Sequence, residues 1–445
     1  MARFLVLGAG FVAEPLVEYL NRREDNHITI AGYTLLESQT LAEKFDNIKA
    51  IQMDVADRQA LMDIVADFDV VVSLVPAPFH LLIAQVCIHC KVNMVTASYQ
   101  SAEMLALAKQ AEAAGICIMN EIGLDPGIDH LSAMKIIDDA QAKGDEIESF
   151  VSWCGGIPAP EDNDNPLGYK FSWEPRGAIM VLLNEAIYQH NKQTIKVRGA
   201  DLMQWSKPIE IANLDLECYP NRNSVNYKDI YGIDSVKDIL RGTLRYRGFC
   251  DIFQDIKKLG LMQTELENVT VDITWKDYIL GLNKAKNVEE LKASINPKSW
   301  DALSWVGCFS DELTVSQKDC SLDALCDLFL QKLTYKSDEK DMVILQHKFV
   351  IKKSDGHRYF VTSVLKETGN PQGFSAMAKT VGYPAAMASQ LIADGKIQTK
   401  GMLLPVTKEI YLPILELLQL EGIGFDEAVL IDQQTSVQQF IPELD

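Results

Sequence analysis

The first residues of the chain carry a glycine pattern that could hold a dinucleotide. Gly8-Ala9-Gly10-Phe11-Val12-Ala13 has Gly-x-Gly-x-x-Ala spacing and follows an apolar run that predicts a strand. Gly8 permits a tight turn, Gly10 lets the backbone approach a pyrophosphate, and Ala13 allows close packing of helix on strand. The alternative is a glycine turn without a ligand. Further alternating strands downstream favour cofactor binding.

Open parallel sheets bind ligands beyond the carboxyl ends of their strands, so the residues after each predicted strand are candidate cofactor neighbours. They are Gly8, Gly10, Phe11, Val12, Tyr33, Thr34, Asp54, Val55, Val75, Pro76, Thr96 and Ala97. The second predicted strand ends in Ala31-Gly32-Tyr33-Thr34, with Glu37 beyond it. That end has neither the usual acid for a ribose 2′-hydroxyl nor an arginine for a 2′-phosphate. The missing arginine favours NAD over NADP.

A polar segment over 120–130 (NEIGLDPGIDH) begins at the end of the last strand predicted for the nucleotide domain. We therefore expect it at the cleft where the chain leaves that domain. Asp125-Pro126-Gly127 is typical of a turn, so the segment is either a hinge, with Asp125 bonding nearby amides, or part of a reaction centre. The residues alone leave both open.

Other chemically capable residues are assigned no role. Cys87 and Cys90 have Cys-x-x-Cys spacing but lie in a helical run without a second ligand pair, so we predict core packing and no metal. The histidines without triad partners and the methionines with helical spacing are likewise set aside as packing residues; they are His80, His347, His357, Met377 and Met387.

The elements that position these residues alternate strand and helix, which predicts a parallel sheet. The predicted strands are 4–7, 28–31, 48–53, 70–75, 93–96 and 116–119. After about residue 125 the pattern changes: 154–169 is an ordered loop, 249–335 a helical insert, and 342–351 with 359–365 a strand pair around the turn 354–356. A last helix is predicted from Pro384 to Asp394.

Composition narrows the class of protein. The chain has 445 residues and a net charge of −20, so nucleic acid and anionic membrane surfaces are excluded as partners and a small-molecule substrate is favoured. Its nine cysteines follow no disulfide spacing, and the chain starts on a strand-like run, which together predict a cytoplasmic protein. No apolar run approaches the roughly 20 residues of a membrane span.

Several segments resemble the saccharopine dehydrogenase family, glutamate-forming type, nearly end to end. They are 97–99 (ASY), 120–130 (NEIGLDPGIDH), 154–160 (CGGIPAP), 165–167 (NPL), 169–173 (YKFSW), 219–222 (YPNR) and 241–246 (RGTLRY). Residues 373–382 (GFSAMAKTVG) and the region around Gly401 resemble in particular the dehydrogenase half of bifunctional aminoadipate semialdehyde synthase.

The resemblance implies an α/β protein with three domains. A Rossmann dinucleotide-binding domain covers 1–125 and about 396–445, a mixed α/β substrate and dimerisation domain covers 126–248 and about 336–395, and a small all-helical domain covers 249–335. It further implies a homodimer, NAD or NADP as cofactor, and saccharopine oxidation to glutamate and 2-aminoadipate 6-semialdehyde, with lysine degradation as the favoured direction.

The resemblance also implies residue roles. Ser98, Tyr99, Asp125, Arg222, Thr243 and Arg245 would bind saccharopine. Residues 124–130, among them Leu124, Gly127 and Asp129, would border the nicotinamide together with Trp173. Tyr99, Asp125 and Cys154 are the candidate acid/base groups, because burial and neighbouring charges can tune their pKa values; Tyr99 could instead only bond a carboxylate, and Cys154 could be a packed thiol.

A substrate with three carboxylates needs positive groups in a protein of charge −20. If 242–246 is extended, Arg241, Thr243, Arg245 and Arg247 project from one face and form a donor row. The alternative is a solvated basic face. Two other functions remain open: an amine dehydrogenase of the carboxynorspermidine or homospermidine type, and a dinucleotide-binding sensor without turnover. Arg222 with Arg245 favours a substrate with several carboxylates.

Overall fold

Short buried strands separated by helices build the first part of the molecule. The computed structural model describes residues 1–265, 273–431 and 435–444. The chain divides into two compact units, one formed by Met1–Asp145 with Gly373–Asp426 and one formed by Glu146–Gln372 with Glu427–Asp445. Within the described residues, every helix is too short or too polar to cross a membrane.

The strands, in chain order, are β1 (Ala2–Leu7), β2 (Asn26–Gly32), β3 (Lys49–Gln52), β4 (Val70–Ser73), β5 (Asn93–Thr96), β6 (Cys117–Met119), β7 (Glu146–Pro158), β8 (Ala186–His190), β9 (Gln193–Val197), β10 (Lys207–Ile211), β11 (Leu214–Pro220), β12 (Asp238–Tyr246), β13 (Asp341–Lys352), β14 (Arg358–Thr368), β15 (Gly401–Leu403) and β16 (Asp426–Leu430). All six strands predicted for the nucleotide domain are present, and their ends shift by only a few residues.

The helices are α1 (Ala13–Asn21), α2 (Leu35–Ala42), α3 (Arg58–Val65), α4 (His80–Cys90), α5 (Ala102–Leu105), α6 (Ala108–Ala114), α7 (Ile128–Gln141), α8 (Pro175–Met180), α9 (Tyr227–Tyr231), α10 (Phe249–Lys258), α11 (Trp275–Asn283), α12 (Val288–Ser294), α13 (Pro297–Val306), α14 (Ser321–Leu330), α15 (Ala376–Ala393), α16 (Lys408–Leu420) and α17 (Val437–Phe440).

The first unit contains a seven-stranded sheet in the order β15-β6-β5-β4-β1-β2-β3. Every recorded pairing in it is parallel. Its central strands are mostly apolar, as expected when helices cover both faces; Leu5, Val71 and Met94 are each 0% exposed. The predicted Rossmann-type domain is therefore confirmed, with its carboxyl-end crevice at the turn after β1.

The second unit contains a nine-stranded sheet, with the path β10-β11-β12-β7-β13-β14-β16 and β8 and β9 off this path. β13 and β14 pair antiparallel around the turn predicted at 354–356. The helices α10 to α14 share one continuous hydrophobic core with β7 and β12, in which Phe253 and Phe329 are buried beside Val151 and Leu240. The predicted helical insert thus belongs to this unit, because its apolar faces and the sheet bury one another.

Domain boundaries differ from the prediction at three places. Helix α7 belongs to the first unit, where Tyr411 donates a hydrogen bond to Asp138 at 2.7 Å. The segment 427–444 belongs to the second unit, where the Lys348 ammonium pairs with Glu443 at 2.6 Å. Both segments lie in a different unit from the one predicted, because their side chains pack and pair with residues that are distant in sequence.

The third difference is α15, which was predicted to start at Pro384 and to lie in the substrate domain. It starts at Ala376, with Ser375 accepting a hydrogen bond from the amide of Ala378, and it packs on α1 in the first unit. A Cβ on Gly382 would lie 2.9 Å from the carbonyl oxygen of Val12, so the two helices approach closely there. Pro384 lies inside the helix instead of opening it.

Residues 154–158 were predicted as a loop but continue β7, which pairs with β12 on one side and β13 on the other. The Gly, Pro, Asn and Asp content of 154–169 favoured an ordered loop, yet Gly155 packs against Leu244, where a Cβ would lie 2.7 Å from the Leu244 carbonyl oxygen. Close packing of neighbouring backbones, which a glycine in a strand permits, explains the misprediction.

Candidate active site

The turn after β1 has the geometry of a pyrophosphate cradle. Gly8 has φ +106°, and a Cβ there would lie 3.1 Å from the carbonyl oxygen of Leu74, so a larger residue would be strained. Nothing lies within 4 Å of a Cβ placed on Gly10, which leaves room above the backbone at the start of α1. Val12 precedes the helix directly, and Phe11 is 61% exposed. These residues fit a dinucleotide phosphate.

The remaining cofactor candidates lie where predicted, at the carboxyl ends of the strands. Thr34 follows β2 and accepts from the Glu37 amide at 3.4 Å, while Asp54 follows β3 and accepts from the Ala56 amide at 2.9 Å. Val75 follows β4, and Thr96 with Ala97 ends β5. Because these strands are parallel neighbours, their ends share one edge of the sheet.

The end of β2 offers no charged group for a 2′-phosphate. Tyr33 is 73% exposed, and no lysine or arginine occurs between Arg23 and Lys44. The charged residues that follow β2 and β3 in sequence are the acids Glu37 and Asp54, whereas Lys49 on β3 pairs with Thr29, three residues before the end of β2. The pyrophosphate part of the site therefore fits a dinucleotide, whereas the arginine expected for NADP is missing at this position.

A hydrogen-bonded group forms at the end of β5. Tyr99 donates from its hydroxyl to the Asp125 carboxylate at 2.9 Å, so the structure brings two candidate acid/base residues together. Ser98 lies 2.8 Å from Nε2 of His80. The carbonyl of Ser98 accepts from the Glu121 amide at 3.1 Å, which anchors the 120–130 segment against this strand end. Ser98, Tyr99 and Asp125 are partly exposed.

The 120–130 segment is a tight, buried turn. The Asp125–Pro126 peptide bond is cis, and Gly127 has φ +149° with no room for a Cβ, which would lie 2.0 Å from the Gly123 carbonyl oxygen. Asp129 accepts from the Gly127 amide at 2.7 Å at the start of α7. Glu121 pairs with His130 at 2.9 Å. Leu124 is 5% exposed. The backbone of the segment therefore reverses the chain, as the turn alternative predicted. The Asp125 side chain is partly accessible, so it can also contact a ligand.

In the second unit, β12 presents the predicted donor row. It pairs with β11 and β7, so that Tyr219, Thr243 and Cys154 lie directly across from one another on three neighbouring strands. Arg241 and Arg245 flank Thr243 by the two-residue repeat of the strand. They are 4% and 5% exposed, so the alternative of a solvated basic face is wrong for them.

Arg247 does not join this row. It lies beyond β12 and forms an exposed bidentate pair with Asp215, with Nε to Oδ1 at 2.8 Å. Arg222 follows β11, is exposed and has φ 54°. Trp173 is half-buried and packs on the core of the unit beside Gly177. Cys154 is buried, at 6% exposure.

Arg245 is a buried charge on β12. Its Nη1 donates to the carbonyl of Leu244 at 2.9 Å, while its Nε has no hydrogen-bond partner among the described residues. Its guanidinium lies over the rings of Tyr169 and Phe249, with Cζ at 5.1 and 5.3 Å from their centroids. Burial opposes the charge, but nearby tyrosine and cysteine groups favour it, and the net effect raises the pKa of Arg245.

The carboxylate across from Arg245 is already engaged. Glu217 lies opposite Arg245 in the register of β11 and β12. Its oxygens instead accept from the amides of Gly248 at 3.2 Å and Cys250 at 2.6 Å, at the start of α10. Satisfying the first amides of a helix is a usual role for an acid. Arg245 is therefore a buried cation without an ion pair in the described part of the chain, which suits a ligand carboxylate.

Sequence reasoning missed three contributors. His80 was set aside as a packing residue, yet its ring is hydrogen-bonded to Ser98 and Ser73. The sequence signal that could have identified it is its place in the connection that follows β4, at the edge of the sheet where ligands bind. Tyr169 contacts Arg245, and Glu217 lies opposite it in the strand register, only through tertiary pairings that no sequence spacing reveals. The described residues contain no group of three His, Cys, Asp or Glu side chains that could hold a metal ion.

Comparisons with known proteins agree with this arrangement. Residues 4–119 match the saccharopine dehydrogenase NADP binding domain, and residues 123–423 match the saccharopine dehydrogenase C-terminal domain. The solved apo structure of histidine-tagged saccharopine dehydrogenase (L-Glu forming) from Saccharomyces cerevisiae has a TM-score of 0.88 at 38% identity, with 97% of this chain and 100% of that chain covered.

Two relatives differ in how much of their own length the chain covers. It is 41% identical over 440 residues to alpha-aminoadipic semialdehyde synthase, mitochondrial, of Mus musculus, covering 95% of this chain but 47% of that protein. The chain thus spans about half the length of this relative. It is also 41% identical over 427 residues to saccharopine dehydrogenase (NADP(+), L-glutamate-forming) of Saccharomyces cerevisiae, covering 93% and 95% of the two chains. The chain belongs to the saccharopine dehydrogenase family.

Proposed function

We propose that the protein oxidises saccharopine with a nicotinamide dinucleotide and water, forming glutamate and 2-aminoadipate 6-semialdehyde. The observation that carries the proposal is Arg245, a buried cation without an ion pair in the described residues, on a chain 41% identical to the yeast NADP(+), L-glutamate-forming enzyme. A carboxylate of the substrate would provide the missing counter-charge, and saccharopine has three carboxylates, more than an amine of the carboxynorspermidine type.

A nicotinamide dinucleotide bound at this site would supply the acceptor for a hydride from the lysine-side carbon that is attached to the secondary amine of saccharopine. The chain's residues must then bind the carboxylates and move protons. The resulting imine adds water, and the carbinolamine releases the amine of glutamate and leaves the aldehyde. We assign carboxylate binding to Arg245, Thr243 and Arg222. In the first unit, we assign it to Ser98.

Proton transfer is assigned to the Tyr99–Asp125 pair. The 2.9 Å hydrogen bond between the Tyr99 hydroxyl and Asp125 joins a donor to an acceptor that can exchange a proton, and both residues remain partly accessible. Cys154 is a second candidate, because it lies across from Thr243. Its burial favours the alternative that it is a packed thiol.

NADP is the cofactor named for the matching domain family and for the yeast relative. The preference for NAD drawn from the missing arginine gains no support from these comparisons. We therefore propose a nicotinamide dinucleotide held at Gly8 and Gly10, with Tyr33 at the position that reads the adenosine ribose. Lysine degradation, the homodimer and the cytoplasmic location stay predictions from sequence.

The deciding experiment follows absorbance of the reduced nicotinamide with purified protein and saccharopine, with NAD and NADP in parallel and with glutamate assayed at the end. Reduction with one glutamate per hydride is expected. A sample with carboxynorspermidine in place of saccharopine distinguishes the related amine activity. Dinucleotide binding without reduction of either cofactor would contradict the proposal and favour the sensor.

A further inference from the structure

A buried histidine connects two hydroxyl groups at the ligand edge of the first sheet. His80 opens α4, just after β4, and is 4% exposed. Its Nδ1 lies 2.9 Å from Oγ of Ser73 and its Nε2 lies 2.8 Å from Oγ of Ser98. The Thr96 hydroxyl lies 3.4 Å from the same Nε2. Both ring nitrogens therefore have hydroxyl partners.

The backbone of Ser98 is held as well. Its amide donates to Oγ1 of Thr96 at 3.3 Å, and its carbonyl accepts from the Glu121 amide. With its main chain fixed, the direction of the Ser98 side chain depends on His80. The next residue, Tyr99, bonds Asp125. We propose that His80 is a positioning residue that orients the Ser98 hydroxyl toward the substrate, an inference that rests on the proposed function.

The ring can do this in two ways. Burial lowers the pKa of His80 to about 4, so the ring is neutral near pH 7, with one nitrogen donating and the other accepting. If Nε2 carries the hydrogen, Ser98 accepts from the ring and keeps its own hydrogen for a carboxylate. If Nδ1 carries it, Ser98 donates to the ring and offers lone pairs to an amine. The Ser73 hydroxyl can accept or donate, and so accommodates either tautomer.

A plain packing role makes a different prediction. If His80 only fills space, an apolar ring of similar size should leave turnover unchanged. Any disturbance of that packing should affect cofactor binding and substrate binding alike. A positioning role acts through Ser98, so its loss should have little further effect once the Ser98 hydroxyl is absent. A double-mutant cycle separates the two, because it measures the coupling between the residues.

The test measures saccharopine turnover for wild type, His80→Phe, Ser98→Ala and the double variant. Phenylalanine keeps the ring volume and removes both nitrogens. We expect KM for saccharopine to rise about tenfold in His80→Phe while KM for the dinucleotide stays within about twofold, as for loss of one well-placed hydrogen bond to a charged ligand. In the Ser98→Ala background, His80→Phe should add less than about twofold.

Three further variants complete the design. His80→Gln retains an amide that reaches Ser98, so it should recover most of the lost affinity. Ser73→Ala removes the anchor of Nδ1 and should raise KM for saccharopine modestly, again only when Ser98 is present; it serves if His80→Phe does not fold. His89→Phe changes an exposed histidine on the same helix and should leave all constants unchanged.

The outcomes distinguish failure of the proposed function from failure of the proposed role of His80. Wild type that reduces no cofactor with saccharopine overturns the proposed function and this inference with it. If the wild type is active, two results overturn the inference alone. One is that His80→Phe or Ser73→Ala has the same effect with and without the Ser98 hydroxyl; the other is that either variant changes KM for saccharopine and KM for the dinucleotide alike.

Discussion

At the scale of single residues, the substrate assignment depends on how charges are partnered. Most arginines of the chain pair with acids on the surface, as Arg247 does with Asp215. Arg245 is buried over two aromatic rings, and the acid across from it bonds helix amides instead. A buried guanidinium is tolerated in a free enzyme by aromatic faces and is better satisfied by a carboxylate ligand.

Replacing Arg245 therefore tests the proposed substrate contact. Arg245→Met keeps apolar contact with Tyr169 and Phe249 but removes the charge, and we expect KM for saccharopine to rise about 10- to 100-fold. Steady-state kinetics measure this, and an unchanged Tm would show that the variant is folded. Arg247→Met is the matched control. Equal kinetic constants for Arg245→Met and wild type would remove Arg245 from the site.

Tyr33 determines a second residue-scale property, the choice of cofactor. An arginine there would place a cation after β2, at the position where a dinucleotide fold reads the ribose. We expect Tyr33→Arg to raise the ratio of kcat/KM for NADP over that for NAD by about tenfold, because a phosphate gains a charge-assisted hydrogen bond. Tyr33→Phe is the control and should change the ratio little. An unchanged ratio in Tyr33→Arg would mean that the 2′-position lies elsewhere.

At the scale of elements, strand ends and helix starts place the functional side chains. β5 ends at Thr96, so Ser98 and Tyr99 emerge at the edge where ligands bind. The start of α4 supplies His80, and the start of α10 holds the acid that would otherwise neutralise Arg245. Helix α15 packs on α1, the helix that follows the glycine turn. A change in α15 should therefore affect stability more than chemistry.

Ser375 provides a test of that expectation. Its side chain accepts from the Ala378 amide at 3.0 Å and caps α15. Ser375→Ala should lower the free energy of unfolding by about 1 kcal/mol. Denaturant unfolding measures the loss, and Ser354→Ala in the exposed turn between β13 and β14 is the control. Equal losses in the two variants would show that the cap contributes nothing.

At the scale of the whole molecule, ligand binding must stabilise the folded chain. A ligand that binds only the folded protein at 100 times its dissociation constant adds roughly 2.7 kcal/mol. NADP or NAD alone should therefore raise Tm before any substrate is present. Gly10→Val should keep the Tm of the free protein, since no atom lies within 4 Å of a Cβ there, but should lose the shift on adding cofactor. A full shift in Gly10→Val would place the pyrophosphate elsewhere.

Much of this could be predicted from the sequence. The six strands of the first sheet, the glycine turn and the extended run at β12 follow from local patterns, because apolar periodicity and turn residues act over a few positions. The domain boundaries were mistaken where α7, α15 and 427–444 join partners distant along the chain. The strand at 154–158 was predicted as a loop because its glycines, which allow close backbone packing in the strand, are also typical of loops.

By itself, the sequence determined the dinucleotide fold, the family and the list of residues able to bind carboxylates or move protons. It could not determine how those residues are partnered. Only the tertiary structure decided that Arg247 is neutralised on the surface, that Glu217 bonds amides and leaves Arg245 without an acid, and that His80 reaches Ser98. Charge and hydrogen-bond partners depend on distances between strands and helices, and those distances are set by packing across the whole chain.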